Sequence, residues 1–161
     1  MRGLKRLVCD EDAAELVEFA MASTILFMLI FGIIQFCLLI YTGNFVAYAA
    51  QQGARYWMVR GSDWSTACST TLTYGCKATP DNVKNYVLSL PHPGITLTAA
   101  NITPTPLNTT AAGASSTCTA DPYARSCQVQ VKVSYTFGLK IPFFPAASIP
   151  LSSTSIETIQ D

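Results

Sequence analysis

Residues 19–41 read FAMASTILFMLIFGIIQFCLLIY, a run of 23 residues without a charged side chain. Its clearly polar members are Ser23, Thr24 and Gln35, and Gly32 is its one weak helix former. At about 1.5 Å per residue, a helix of this length spans roughly 35 Å, enough to cross a hydrocarbon core of about 30 Å. Because backbone groups in lipid must satisfy one another, the run predicts a transmembrane helix.

The distribution of charge supports this interpretation. The chain of 161 residues carries ten basic and ten acidic side chains, and only 12% of its residues are charged, about half the usual fraction. No ionisable side chain lies between Glu18 and Arg55 except those of Cys37, Tyr41 and Tyr48. A net charge of zero lacks the basic excess of a nucleic-acid-binding protein. The sequence therefore predicts a membrane-linked chain that does not bind nucleic acid.

The helix is predicted to continue beyond the membrane to Gly61, because Thr42–Gly61 contains no proline and is rich in good helix formers. Tyr56 and Trp57 are expected to anchor it at the membrane surface. Small residues suited to the close approach of another helix are Gly32, Ala49, Ala50, Gly53 and Ala54. Packing of this segment on the chain's own C-terminal domain is equally compatible with the sequence.

Residues 62–161 have the cysteines of a domain in an oxidising compartment. Four cysteines in two closely spaced pairs lie here: Cys68, Cys76, Cys118 and Cys127. Three connectivities are open, and we favour the local pairs Cys68–Cys76 and Cys118–Cys127. The rival interpretation, a zinc site, lacks CxxC spacing and has only one histidine in the chain. Cys9 and Cys37 are expected to be free.

The same region predicts a small antiparallel sheet with one short helix, packed on the long helix, and hence an α+β fold. Thr79-Pro80-Asp81 has the residues of a helix start, and Pro91 ends that helix. The segments predicted as strands are Ile95–Ala99, Cys127–Phe137 and Leu151–Ile159, and Pro104–Thr117 is predicted as a flexible loop.

No residues suggest catalysis. His92 lies between two prolines without an acidic neighbour, which favours a surface histidine over a general base. The sequence contains neither a G-x-S-x-G nucleophile motif nor a glycine-rich phosphate loop. We therefore predict a non-enzymatic protein without a metal or another cofactor.

The stretch from Ala13 to Gly61 resembles the N-terminal signature of TadE-like proteins, the pseudopilins or minor pilins of the bacterial tight-adherence (Flp-type) pilus. The motifs that carry the resemblance are Val17-Glu18-Phe19-Ala20, Phe31–Phe36 and Gly53–Tyr56. They span about 45 residues and are fairly specific. The resemblance implies a structural subunit whose partners are the membrane, other pilin or pseudopilin subunits and the pilus assembly machinery.

The resemblance also implies processing by a prepilin peptidase on the cytoplasmic side of the inner membrane. The cut would fall between Ala13 and Ala14, so that Glu18 becomes residue five of the mature chain; this chain has Ala13 where the family usually has glycine. Residues 1–13 would be the leader, 14–61 the long helix, and 62–161 a periplasmic or extracellular domain. The Glu18 carboxylate is expected to pair with the α-amino group of a neighbouring subunit and to set the register of assembly.

Two alternatives stay open. Ala47-Tyr48-Ala49 offers an A-x-A site for a signal peptidase, which would release a secreted binding domain that begins at Ala50. That reading conflicts with an apolar run much longer than the usual signal-peptide core of about 7–15 residues. The second alternative is a permanently anchored periplasmic scaffold that keeps Met1 and never enters a fibre.

Overall fold

The structure is a computed structural model, and it describes residues 11–62, 64, 77–114, 116–142 and 145–160. Helix α1 covers Glu11–Met58, α2 covers Pro80–Ser89 and α3 covers Ser116–Ala120, with a 3-10 turn at Ala99–Asn101. The strands are β1 (Ile102–Thr110), β2 (Gly113–Ala114), β3 (Cys127–Leu139) and β4 (Ala147–Thr158). The predicted α+β class is confirmed: a long apolar helix precedes a small antiparallel sheet and short helices.

The chain divides into two compact units after Ile40. The first comprises the residues up to Ile40 together with Gly138–Ser148, and the second comprises Tyr41–Phe137 with Ile149–Asp161. Helix α1 contributes its first part to one unit and its last part to the other.

The sheet has the order β2-β1-β3-β4. Strand β1 is antiparallel to β3, in a register that runs from Ile102 opposite Val133 to Leu107 opposite Gln128. The predicted alternation along β3 is confirmed, because Val129, Val131 and Val133 are fully buried while the residues between them are not. One face of the sheet therefore packs into the core and the other faces water.

The second unit is built around a core that α1 shares with the domain. Its members from α1 are Phe45, Val46, Ala49, Ala50, Ala54, Tyr56 and Trp57. They pack with Val83 and Val87 of α2, Ile102 of β1 and the valines of β3. Burial of this apolar surface is the main favourable term in folding.

The predicted start of α2 is confirmed by its cap. The Thr79 side chain accepts a hydrogen bond from the Asn82 backbone N–H at 3.3 Å, Pro80 begins the helix, and Asp81 lies in its first turn. Helix α1 ends at Met58, three residues before the predicted Gly61. The Met58 carbonyl accepts a hydrogen bond from the Gln160 N–H at 3.1 Å, so the end of the chain satisfies one carbonyl group of the helix terminus.

Two predictions of local structure were wrong. Ile95–Ala99 is not a strand: Ile95 and Leu97 are buried as predicted, but in the described chain they have no neighbouring strand, and a 3-10 turn begins at Ala99. Most of Pro104–Thr117 is not a loop, because it contains the end of β1 and all of β2. Pro104 and Pro106 alternate along β1, opposite Val131 and Val129 of β3, so their missing N–H groups fall on the same side of the strand and interrupt only one of its two edges.

Candidate functional site

The first half of α1 is an exposed apolar surface. Phe19, Met21 and Ile25 are each about two-thirds exposed or more, and most of the large apolar side chains from there to Tyr41 are 40–61% exposed. In the described part of the chain, one helix is long and apolar enough to cross a membrane, and none of its most apolar window is buried. Because water-exposed apolar area of this extent is unfavourable, this surface requires a covering of lipid or of other apolar helices.

Two polar side chains inside the apolar run bond to the helix itself. The Ser23 hydroxyl donates to the Ala20 carbonyl at 3.0 Å, and the Thr24 hydroxyl donates to the same carbonyl at 2.8 Å. Both hydroxyl groups thus have a partner that does not depend on water. This pairing lowers the cost of placing them in hydrocarbon.

The acidic residues at the start of the run are exposed. Glu15 and Glu18 lie one helical turn apart, and within the described residues neither carboxylate has a hydrogen bond or an ion pair. The neighbours of Glu18 in sequence, Val17 and Phe19, are 60% and 72% exposed. The Ala13–Ala14 peptide bond lies in the first turn of α1, where helices commonly fray.

The second half of α1 packs on the chain's own domain. Ala49, Ala50 and Ala54 are fully buried in the core of the second unit. A Cβ placed on Gly53 would lie 2.9 Å from Val87 Cγ2 of α2 and 3.1 Å from Val131 Cγ1 of β3. At these four positions the short side chains therefore allow close approach of α2 and the sheet of the same chain. Gly32, by contrast, has open space where a Cβ would be.

The predicted membrane-surface role of Tyr56 and Trp57 was wrong. Tyr56 is 9% exposed and Trp57 is fully buried, both within the core. At about 1.5 Å per residue, Tyr56 lies more than 20 Å along the helix axis from Tyr41, where the apolar run ends. The two rings therefore lie in the core of the domain and not at the end of the apolar run.

Sequence reasoning also missed the aromatic groups that these two rings form. The Tyr56 ring stacks on Tyr86 of α2 with 4.4 Å between centroids, and the Arg60 guanidinium lies 4.3 Å from the centre of the Tyr56 ring. Trp57 packs near Tyr123, with 6.0 Å between ring centroids. The one signal in the sequence that pointed to Tyr56 was its place in Gly53–Tyr56, a motif that carries the resemblance to TadE-like proteins.

Tyr123 lies in a small polar cluster at the surface of this core. The Lys77 ammonium is 4.5 Å from the centre of its ring and 3.9 Å from the Asp121 carboxylate. Partial burial, and to a lesser degree the nearby Asp121 carboxylate, raise the pKa of the Tyr123 hydroxyl above its ordinary value. The neutral form of the phenol is therefore favoured in the folded protein.

One predicted disulfide lies in the described chain. Cys118 of α3 and Cys127 at the start of β3 are bonded, with 5.6 Å between their Cα atoms, so this pairing is confirmed. Cys37 is free and exposed, as expected. Cys68 and Cys76, and likewise Cys9, lie outside the described residues.

His92 contributes no recognisable catalytic arrangement. Its ring packs near Phe45, with 5.9 Å between centroids, and its Nδ1 is in contact with the Leu90 carbonyl. Across the residues that the structure describes, no group of three or more histidine, cysteine or acidic side chains could hold a metal ion.

The geometry of α1 also bears on signal-peptide cleavage. A cut after Ala49 would remove Phe45, Val46 and Ala49, all of them core residues. Burial of a phenylalanine or valine side chain contributes about 1.5–3 kcal/mol each. The A-x-A sequence at residues 47–49 is thus part of the folded domain.

Residues 14–55 match the model of the TadE-like protein family. The resemblance seen in the sequence motifs is confirmed over this stretch, which includes all of the exposed apolar run and most of the helix that packs in the core. A comparison with curated proteins and one with solved structures found no match. The matched segment therefore includes the exposed apolar part of α1 and most of the part of α1 that packs in the domain core.

Proposed function

We propose that this protein is a non-enzymatic, pseudopilin-like subunit that takes part in assembling a tight-adherence pilus. Its helix α1 crosses the inner membrane with the N-terminus in the cytoplasm and the C-terminal domain in the periplasm. The observation that carries the proposal is the TadE-like match at residues 14–55, which coincides with the uncovered apolar helix. The disulfide between Cys118 and Cys127 supports an oxidising compartment for the domain.

Retention of the helix after export is a central part of the proposal. Phe45, Val46 and Ala49 complete the core, which disfavours a secreted product beginning at Ala50. The membrane anchor and the domain are thus parts of one folded molecule, as a subunit drawn from a membrane into a fibre requires.

Glu18 is the residue to which we assign a role in assembly. Its carboxylate is exposed at the edge of the apolar run, with no partner in the described chain. A charged acidic side chain in the middle of a membrane helix costs about 3 kcal/mol, so a paired cation is favoured as the chain moves into an apolar surrounding. Cleavage before Ala14 creates such a cation, the new α-amino group, and pairing between copies places neighbouring subunits in register.

The mature N-terminus separates this proposal from its alternatives. Mass spectrometry of the protein purified from membranes is expected to show a chain that begins at Ala14. A chain beginning at Met1 would favour a fixed scaffold, for which Ala13 in the place of glycine is the supporting observation. A chain beginning at Ala50 would contradict the anchored subunit.

Assembly is tested with two matched variants, Glu18→Ala and Glu15→Ala. Both remove one exposed carboxylate from adjacent turns of the same helix. Glu18→Ala is expected to abolish recovery of the protein, or of pili, in sheared surface fractions, while Glu15→Ala leaves recovery unchanged. Normal assembly by the processed Glu18→Ala variant would refute the role of Glu18.

A further inference from the structure

The turn between β3 and β4, residues 139–142 and 145–147, packs with the apolar part of α1. Gly138–Ser148 forms one compact unit with the chain up to Ile40, while the remainder of both strands belongs to the second unit. Residues 143 and 144 lie outside the described chain. The β3–β4 turn is therefore separate from the domain core and lies beside the helix that is apolar enough to cross a membrane.

Strand β3 carries its apolar face beyond the core into this turn. Phe137, Leu139 and Ile141 are half-buried at every second position, on the face that includes the fully buried Val133. The residues between them are exposed. The turn thus has an apolar face directed inward and a second face that the chain leaves open.

Helix α1 has a matching face in the same unit. Gly32, Gln35 and Leu39 are half-buried at helical spacing, while the residues on either side of each are exposed. The same face continues as Val46 and Ala49, which the domain buries. Packing of the chain's own turn on α1 accounts for this partial burial and needs no second chain.

The open face of the turn has the composition of a segment in contact with lipid. Lys140 is the one charged side chain between residues 138 and 148, and it is exposed and without an ion pair among the described residues. Pro142, Pro145 and Ala146 are exposed as well. Because proline lacks an N–H group, the turn has two fewer donors to satisfy in an apolar environment.

We infer that the β3–β4 turn enters the membrane leaflet nearest the domain, beside α1, and so forms a second lipid contact of this chain. This inference rests on the proposed function, in which α1 crosses the membrane. With the apolar run centred in the bilayer, Tyr41 lies about 2 Å outside the hydrocarbon core.

The depth of the turn follows from its length. Helix α1 leaves the second unit at Tyr41 and β3 leaves it at Phe137. Lys140, three residues further along, lies about 10 Å deeper at about 3.3 Å per residue. The turn thus reaches about 8 Å below the edge of the hydrocarbon, within the depth of about 5–10 Å that interfacial segments occupy. From there the flexible stem of Lys140 allows its ammonium group to reach the lipid phosphates.

The test places an environment-sensitive fluorophore on a cysteine introduced into the full chain in phosphatidylcholine vesicles. The chain lacks Cys9 and Cys37, and the same chain without an added cysteine gives the baseline. Ala146→Cys marks the turn, and Ala112→Cys is the matched control. Both alanines are exposed, but Ala112 lies between β1 and β2, at the end of the sheet where Thr110 is opposite Cys127.

Two quenchers report where each label lies. A nitroxide near the top of the lipid acyl chains is expected to lower the fluorescence of the label at residue 146 about two-fold or more, and to leave that at residue 112 unchanged. Iodide, which stays in water, is expected to show the reverse preference. Equal quenching of the two labels by the nitroxide would overturn the inference. A label at residue 146 that neither quencher reaches would mean that protein covers the turn, and would overturn it as well.

Flotation of the vesicles separates this inference from the proposed function. A chain that floats with the vesicles while iodide quenches the label at residue 146 contradicts the second lipid contact and leaves the membrane-anchored subunit standing. A chain that does not float contradicts both.

Discussion

Replacement of Gly53 by alanine is the sharpest probe of how the TadE-like segment is used. Gly53 lies in α1, buried where the helix meets α2 and β3. If its small size serves packing within the chain, an added methyl group will destabilise the folded domain. If it serves only contacts between subunits, the domain's stability will not fall.

The magnitude follows from the distances. The new Cβ would lie 2.9 Å from Val87 Cγ2, 3.1 Å from Val131 Cγ1 and 3.6 Å from Val83 Cγ1, whereas unstrained carbon atoms lie about 3.5–4.0 Å apart. Overpacking of this kind costs about 1–3 kcal/mol. Alanine in place of glycine inside a helix regains about 1 kcal/mol. We expect the free energy of unfolding to fall by about 1 kcal/mol.

Gly43→Ala is the matched control. Gly43 lies in the same helix and the same unit, but no atom lies within 4 Å of a Cβ placed on it. It receives the gain in helix propensity without the clash, so the difference between the two variants isolates the packing term. That difference is expected to be about 2 kcal/mol, and each kcal/mol shifts the Tm of a domain of this size by about 4–8 °C.

The assay is thermal unfolding of the full chain in detergent micelles, followed by the near-ultraviolet circular dichroism of its buried aromatic rings. A Gly53→Ala variant that gains as much in Tm as Gly43→Ala would refute the reasoning. A double variant with Val87→Ala, which removes the closest methyl group, is expected to show a smaller penalty for Gly53→Ala than the wild-type background does.

Three other measurements test the domain. The paired substitutions Cys118→Ser and Cys127→Ser should lower the free energy of unfolding by about 2–3 kcal/mol, from the loss of a closed loop of about ten residues; an unchanged urea midpoint would contradict this. A chain that begins at Tyr41 should unfold cooperatively, while one that begins at Ala50 should not, since it lacks Phe45, Val46 and Ala49. The pKa of Tyr123 is raised in the folded state, so folding favours the neutral phenol. The contribution of Tyr123 to the free energy of unfolding is therefore complete below the ordinary tyrosine pKa of about 10, and it is lost as the pH rises through the folded value. The fall in urea midpoint between pH 8 and pH 11 should accordingly be smaller in Tyr123→Phe, and an equal fall would contradict this assignment.

Several elements could be predicted because their signals are local. The cap at Thr79, the alternation along β3 and the spacing of Cys118 and Cys127 each involve residues that interact over a few positions in sequence. The apolar run of α1 is equally local, since hydrocarbon compatibility depends only on composition and length. Short motifs within this run and on either side of it identified the TadE-like segment.

The errors occurred where distant segments decide the outcome. Strand β1 has prolines and threonines typical of a loop, and it is a strand because β3 offers a neighbour along one side. Ile95 and Leu97 alternate like a strand, yet they are buried without a sheet partner in the described chain. Local composition indicates neither the pairing of β1 with β3 nor the burial of Ile95 and Leu97 outside the sheet, because both depend on segments that are distant in the sequence.

The sequence by itself determined that the chain carries a long apolar helix, an acidic residue at its edge and a small disulfide-linked α+β domain. Those properties depend on residue type and short spacing. Only the tertiary structure decided which part of α1 the chain itself covers: Ala49, Ala50, Gly53 and Ala54 are buried in the core that α1 forms with α2 and the sheet, while no residue from 14 to 40 is buried. A small residue permits the close approach of any partner, so the spacing of small residues does not show which element packs against them. The exposed apolar half, with Glu18 at its edge, is therefore where contacts of this chain with lipid or with other proteins are to be sought.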